Sequence, residues 1–334
     1  MTNSRNSCFA KPYSHIYVEQ QIAEAPRAID ILNRFGNAEI VRIDTYKQVF
    51  NRPKQQFDLQ KKSAKIILAK KQPPYLQPFS NQCQKSEFPN AVYVTPALGC
   101  VYDCDFCFLH GMYNSANIVV FVNIDDIQKA ICKTHEEQNR TPLWVSISYE
   151  TDLLALDSLG AAVAPWIAFA HQHPNIFMEC RTRSSAFHRI AMHSPPPNFI
   201  LAWSLSPREH AQKYEHRAPR IEQRLRAAKE AIDMGWKVRL CFDPVLNDTH
   251  LSDIFQRLFS DTFAQLDACK LFDVTLGPFR MGNDFFKRIQ RARPQCDLFY
   301  RKIELEPEPF DRAIVKEIQK YVPREKLVLW QSQS

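Results

Sequence analysis

Apolar residues along this chain come in short bursts, and the pattern of those bursts changes near residue 90. Before that point the spacing predicts a helix near 23–35 (AEAPRAIDILNRF) and a short strand at 39–43 (EIVRI). A second helix is predicted near 59–70, where Leu59, Ala64, Ile67 and Leu68 recur among lysines. The stretch QPPYLQPFSNQCQKSEFPN (72–90) carries four prolines and reads as an irregular connector. From residue 91 onward, apolar runs rich in β-branched and aromatic residues occur at 91–95, 143–149, 176–180, 199–205, 237–242 and 271–276. Helical patterns alternate with them near 124–137, 157–173, 184–192, 220–234, 251–267 and 282–292. In the fourth, Ile221, Leu225, Ala228 and Ile232 make one apolar stripe with the charges opposite, and Gly235 stops the helix. An additional strand, NIVVFVN (117–123), precedes the first of these helices.

Six strand-then-helix units in series predict an α/β fold with a parallel sheet and right-handed crossovers. Six units are too few to close an eight-stranded barrel and suit a curved, partial (β/α)6 TIM-like barrel. In such folds the chemistry sits at the carboxyl ends of the strands. The expected division is an amino-terminal α/β region over 1–90, the barrel over 91–295 and a carboxyl-terminal extension over 296–334.

Composition narrows the function classes. Of 334 residues, 45% are hydrophobic and 24% charged, which excludes wholesale disorder. No run approaches the ~20 apolar residues of a membrane span, and the amino terminus lacks a signal-peptide apolar region. The expectation is a soluble, cytoplasmic protein with no membrane partner. Seven glycines leave no phosphate-cradling motif. Ten cysteines are too many to pass over: seven are dispersed, and Cys100, Cys104 and Cys107 crowd into eight residues.

The crowded segment reads GCVYDCDFCFLH (99–110), just after the first strand of the series. It has three readings: chance clustering of structural cysteines, a Cys3His zinc site completed by His110, and an iron–sulfur cluster. A four-iron cluster normally takes four thiolates. With three, one iron stays open to a ligand that chelates through an amine and a carboxylate, which is the radical S-adenosylmethionine (SAM) arrangement.

At this point the sequence resembles the radical-SAM superfamily and, within it, the spore photoproduct lyase family, over about residues 20–290. ALGCVYDCDFCFL is similar to that family's cluster segment, YETDLLALDSL (149–159) to its second-strand segment, and CRTRS (180–184) to its third-strand motif. WSLSP (203–207), followed by YEHRAP and RIEQRLRAAKEAIDMGWKV, resembles the fourth strand and helix. The resemblance implies a radical-SAM barrel in which Cys100, Cys104 and Cys107 ligate a 4Fe-4S cluster. It implies that Phe106 borders the adenine of SAM, and that Thr151, Arg183 and Ser204 contact SAM from successive strand ends. Arg181 and Arg183 share one strand face and Cys180 lies on the other.

The implied activity is reductive cleavage of SAM to a 5′-deoxyadenosyl radical and repair of thymine cross-links in DNA, with a reductant such as flavodoxin or ferredoxin. Departures bear on that substrate. Where the family has its hydrogen-donating cysteine, this chain has Tyr149, placed on one strand face with Val145 and Ile147; its phenol can take over the donation or form a pocket wall. Phe106 and Phe108 replace the tyrosines flanking the last cluster cysteine. The family's DNA-gripping hairpin has no clear match, and IELEPEPF (303–310) is acidic. Lys287, Arg288, Arg291, Arg293, Arg301 and Lys302 just before it form a basic stretch able to meet a nucleic-acid backbone or to serve as a solvated face. Two alternatives stay open: a radical-SAM enzyme of the same subfamily with another substrate, and a zinc-stabilised nucleic-acid-binding module without catalysis.

Overall fold

The six apolar runs form six parallel strands that lie side by side in the order the chain makes them. They are β1 (Ala91–Val94), β2 (Leu143–Ser146), β3 (Ile176–Thr182), β4 (Phe199–Ser204), β5 (Lys237–Val245) and β6 (Asp273–Pro278). The structure is a computed structural model, and it describes residues 13–79, 90–160, 162–246, 250–300 and 312–330. Register pairs Ala91 with Trp144, Val145 with Met178, Cys180 with Leu201, Leu201 with Val238 and Arg239 with Asp273. Parallel neighbours need a crossover each, and the intervening helices supply them. Leu76–Pro78 joins the β1 edge antiparallel, and Leu327–Leu329 joins the β6 edge in parallel. This is the expected partial barrel.

Alternation along the strands sorts side chains between two environments. Val145, Met178, Cys180, Leu201, Trp203, Leu240, Phe242, Val274 and Leu276 are fully buried in the main core. Their neighbours of opposite parity, among them Glu179, Arg181, Ser204, Arg239 and Asp243, line the barrel interior instead. Polar residues on that face of a buried sheet imply a cavity that they serve.

A second sheet flanks the barrel. Its order is Glu39–Ile43, His15–Glu19, Ile66–Ala69, Ile118–Phe121 and Ala97–Leu98, parallel except for the last strand. Here the structure corrects the sequence reading. The predicted helix over 59–70 is a short helix, Phe57–Lys61, followed by the strand Ile66–Ala69. That strand is buried on both faces between two parallel neighbours, so pairing overrides its helical spacing. The strand expected at 117–123 forms at Ile118–Phe121 within this flanking sheet, not beside β1.

Helices Ile124–Glu137, Ile221–Asp233, Leu251–Phe263 and Asn283–Ala292 follow the predicted positions. The helix read over 157–173 is broken into a turn at Asp157–Leu159 and a helix at Ala164–Gln172, because Gly160 takes φ +139° between them. The segment 184–192 keeps only the turn Phe187–Arg189; the hydroxyls of Thr182 and Ser184 take the backbone N–H groups of Ser184 and Ala186, which competes with helix formation. Among the described residues no single helix is long and apolar enough to cross a membrane. Arg301, Lys302 and the acidic segment 303–310 lie outside the described residues.

Candidate active site

A cavity of about 340 Å³ opens at the carboxyl ends of the barrel strands, in the size range of small-ligand sites. All eight residues singled out from sequence line it: Cys100, Cys104, Phe106, Cys107, Tyr149, Thr151, Arg183 and Ser204. Residues up to 104 positions apart in sequence thus meet in one place.

The three-cysteine loop is bolted down from several directions. Gly99, immediately before Cys100, has φ +84°, and a Cβ there would sit 2.8 Å from the Asn117 carbonyl oxygen; its N–H donates to the Glu150 carbonyl at 3.1 Å. Only glycine fits this position without strain. Downstream, Asp103–Cys104 pairs antiparallel with Glu215–His216, so the YEHRAP segment forms the other wall of the loop. His216 Nε2 lies 3.0 Å from the Asp105 carboxylate, and the Asp105 N–H donates to the Tyr214 carbonyl at 2.8 Å. Arg293 gathers three carboxylates: Asp103 at 2.6 Å, Asp58 at 2.8 Å, and Asp105. Burial pushes the Cys100 thiol up to about 12 and also raises Cys104 and Cys107. In the metal-free chain these are neutral thiols, and loading a metal group would release their protons.

His110 does not join the thiols in a single-ion site. Its ring packs on Phe57 with centroids 4.7 Å apart, and Nε2 faces Asp103 at 3.5 Å. Burial, reinforced by Arg293 and Lys61, holds its pKa well below the ordinary value, so the ring is neutral. Among the described residues no group of three or more His, Cys, Asp or Glu side chains is drawn together as a single metal ion requires.

The wall facing the loop is organised by Asp152. Its carboxylate caps the short helix Leu153–Leu156 by accepting from the Ala155 N–H at 3.0 Å. It also accepts from the Thr182 hydroxyl and the Arg183 N–H, both at 2.7 Å. One buried carboxylate therefore ties the end of β2 to the end of β3 and sets the positions of Thr151 and Arg183. The Arg183 guanidinium lies over the Phe106 ring, 5.2 Å from its centroid, and is held by Glu215 at 3.4 Å. Glu215 also binds the fully buried Arg224 and accepts from the Ser206 hydroxyl at 2.6 Å. Burial pushes Glu215 up, yet the Arg224 and Arg183 guanidinium groups hold it at about 2. Arg181 pairs with Asp243 and donates through Nε to the Ser204 hydroxyl at 3.3 Å. Deeper in the barrel, Arg239 binds Asp273 and Glu179 and stacks over Trp144 at 4.9 Å.

Strand parity places Arg181 and Arg183 on the cavity side and Cys180 in the core, as expected. The parity argument for Tyr149 is overturned. Val145 and Ile147 face the core, whereas Ser146 and Ser148 face the cavity; Tyr149 reaches it because the chain turns after β2 ends at Ser146. The Tyr149 ring sits among aromatic neighbours, with centroids 4.3 Å from Tyr93, 5.4 Å from Phe108 and 5.7 Å from Phe79. Arg293, counted among surface cations, is committed to the cluster loop, while Lys287, Arg288 and Arg291 are exposed. Sequence reasoning missed Glu215 and Asp243; the ion pairs that define them, with Arg183 and Arg181, join residues 32 and 62 positions apart.

The donor set fits a three-cysteine iron–sulfur cluster with a chelating ligand. Three thiols line the cavity, and the Thr151 hydroxyl on the same cavity is buried with no protein partner, as expected of an atom that a bound ligand satisfies.

Comparison with known proteins agrees with this geometry. The family model described as "Spore photoproduct lyase" matches residues 11–324. None of the curated proteins matches the chain. A solved spore photoproduct lyase mutant with bound AdoMet and dinucleoside spore photoproduct superposes with a TM-score of 0.81 at 17% identity, covering 97% of this chain and all of the other. A second, complexed with dinucleoside spore photoproduct, gives 0.78 at 16% identity, covering 96% and 99% of the two chains. At such identity the likeness is one of fold.

Proposed function

This chain belongs to the spore photoproduct lyase family, and from that premise we propose that it is a radical-SAM enzyme that reverses a thymine cross-link in DNA. The observation that carries the reading is the convergence of Cys100, Cys104 and Cys107 with Phe106, Thr151, Arg183 and Ser204 on one cavity. Cys100, Cys104 and Cys107 would hold a 4Fe-4S cluster, and the facing wall with Thr151, Arg183 and Ser204 would hold SAM. When bound, the cluster supplies the electron that splits SAM into methionine and a 5′-deoxyadenosyl radical.

The remaining work falls to side chains. Arg183, fixed by Glu215 and stacked on Phe106, presents a guanidinium suited to a carboxylate. The unpartnered Thr151 hydroxyl, beyond β2, and the Ser204 hydroxyl, at the end of β4, supply polar contacts from either side of β3. Exposed Lys287, Arg288 and Arg291 lie on the helix that follows the cavity-lining residues Met281 and Gly282, and suit a phosphate backbone. The eight cysteines among the described residues are all free thiols, in keeping with a reducing cytoplasmic setting and a one-electron reductant such as flavodoxin or ferredoxin.

Tyr149 occupies the place of the family's hydrogen donor. In our reading the substrate radical takes the phenolic hydrogen atom. This leaves a phenoxyl radical, which an electron from the same reductant and a proton from water return to the phenol. SAM is then consumed with each turnover. In D2O the phenolic position exchanges, so repaired thymine should carry deuterium in its methyl group. Tyr149→Phe should still cleave SAM but divert the substrate to side products. Turnover of Tyr149→Phe like wild type would remove Tyr149 from hydrogen return and leave it as a wall of the pocket.

A further inference from the structure

The cluster loop has a cation that forms no ion pair with a carboxylate among the described residues. Lys61 ends the helix Phe57–Lys61, outside the barrel strands, and is only 4% exposed. Its ammonium donates to the carbonyl of Cys100, and the ion pairs among the described residues leave it without an acidic partner. The adjacent Arg293, by contrast, is bound to three carboxylates. Burying an ammonium is costly unless an opposite charge meets it. The nearby Asp103 carboxylate is taken by Arg293 at 2.6 Å, so the charge left to meet Lys61 is that of a cluster held by Cys100 and its neighbours.

The helix is fastened so that this ammonium stays in place. Arg217, from the segment that walls the cluster loop, donates to the Lys61 carbonyl at 2.7 Å. The Gln60 side-chain oxygen accepts from the Ser115 hydroxyl at 3.0 Å and the Ala116 N–H at 2.7 Å. Asp58 reaches Arg293 at 2.8 Å. All three polar side chains of this short helix, Asp58, Gln60 and Lys61, are thus committed to partners in other segments.

We propose that Lys61 is the charge partner of the cluster and sets its reduction potential. The proposal rests on the cluster reading given above. Three thiolates make the loaded loop anionic, and one-electron reduction adds a further negative charge. A fixed ammonium at the Cys100 carbonyl stabilises the reduced form more than the oxidised form, in a site where water screens little. It therefore raises the potential and eases electron transfer from the reductant. Charge and hydrogen bonds near the ligands are established levers on cluster potentials.

The test is a mediated dithionite titration of anaerobically reconstituted protein, followed by the electron paramagnetic resonance of the reduced cluster. Lys61→Met and Lys61→Gln should shift the midpoint potential to more negative values, whereas Lys61→Arg should keep it near wild type. The glutamine variant retains a donor for the Cys100 carbonyl, so a shift there reports charge and not the hydrogen bond. Loss of iron in the two neutral variants with retention in Lys61→Arg would also support the charge role. An unchanged potential in either neutral variant, or equal damage by Lys61→Arg, would overturn it. Failure of wild type itself to assemble a cluster would instead overturn the functional reading on which the proposal stands.

Discussion

Glu215→Gln is the sharpest single perturbation of the ion network behind the site. The side chain is fully buried and neutralises two guanidinium groups, Arg224 and Arg183, while accepting from Ser206. Glutamine keeps the shape and an acceptor but removes the charge, leaving the fully buried Arg224 unpaired. Breaking a buried pair on one side costs about 3–5 kcal/mol. The pKa leads to the same size: holding the carboxyl at about 2 against an ordinary 4.5 corresponds to about 3 kcal/mol. The sign follows from the direction. The folded pKa is depressed, so the stabilisation is fully present above the ordinary value and is lost as pH falls through about 2. Urea unfolding of the metal-free chain should therefore show Glu215→Gln less stable by about 3 kcal/mol at pH 7, with the gap to wild type closing as pH falls from the ordinary carboxylate range toward 2. A gap below about 1 kcal/mol at pH 7, the size of an exposed pair, or one independent of pH over that range, would refute the argument.

Two further outcomes follow from the site. Arg183→Ala should weaken SAM binding by isothermal calorimetry at least tenfold, about 1.4 kcal/mol, while iron and labile sulfide stay at wild-type levels; its loss also frees one face of Phe106. Gly99→Ala should fail to retain the cluster on anaerobic purification, because the new methyl meets the Asn117 carbonyl at 2.8 Å in a left-handed backbone.

The barrel was legible in the sequence because its strands are buried on both sides, which makes each a predominantly apolar run bounded by helical periodicity. Their consecutive order then follows from short right-handed crossovers. The flanking sheet was harder. IILA (66–69) continues the helical spacing begun at Leu59, and only its pairing with His15–Glu19 and Ile118–Phe121 makes it a strand. The cysteine loop could be read because its three ligands sit within eight residues. Lys61 and Glu215 could not, since each acts on the loop across 39 or more positions or through a two-residue bridge such as that between Glu215 and Cys104. Tyr149 was placed in the cavity for the wrong reason: strand alternation ends at Ser146, and the turn beyond it decides where the ring points.

The central claim is that this cavity couples SAM cleavage to a thymine cross-link. Its most direct test is anaerobic incubation of iron-loaded protein with SAM, dithionite and dinucleoside spore photoproduct, followed by mass spectrometry of the nucleosides. The account predicts 5′-deoxyadenosine together with restored thymine dinucleoside, both abolished by Cys104→Ala. Iron-loaded protein that forms 5′-deoxyadenosine but leaves the lesion intact would contradict the claim and point to another substrate for the same chemistry.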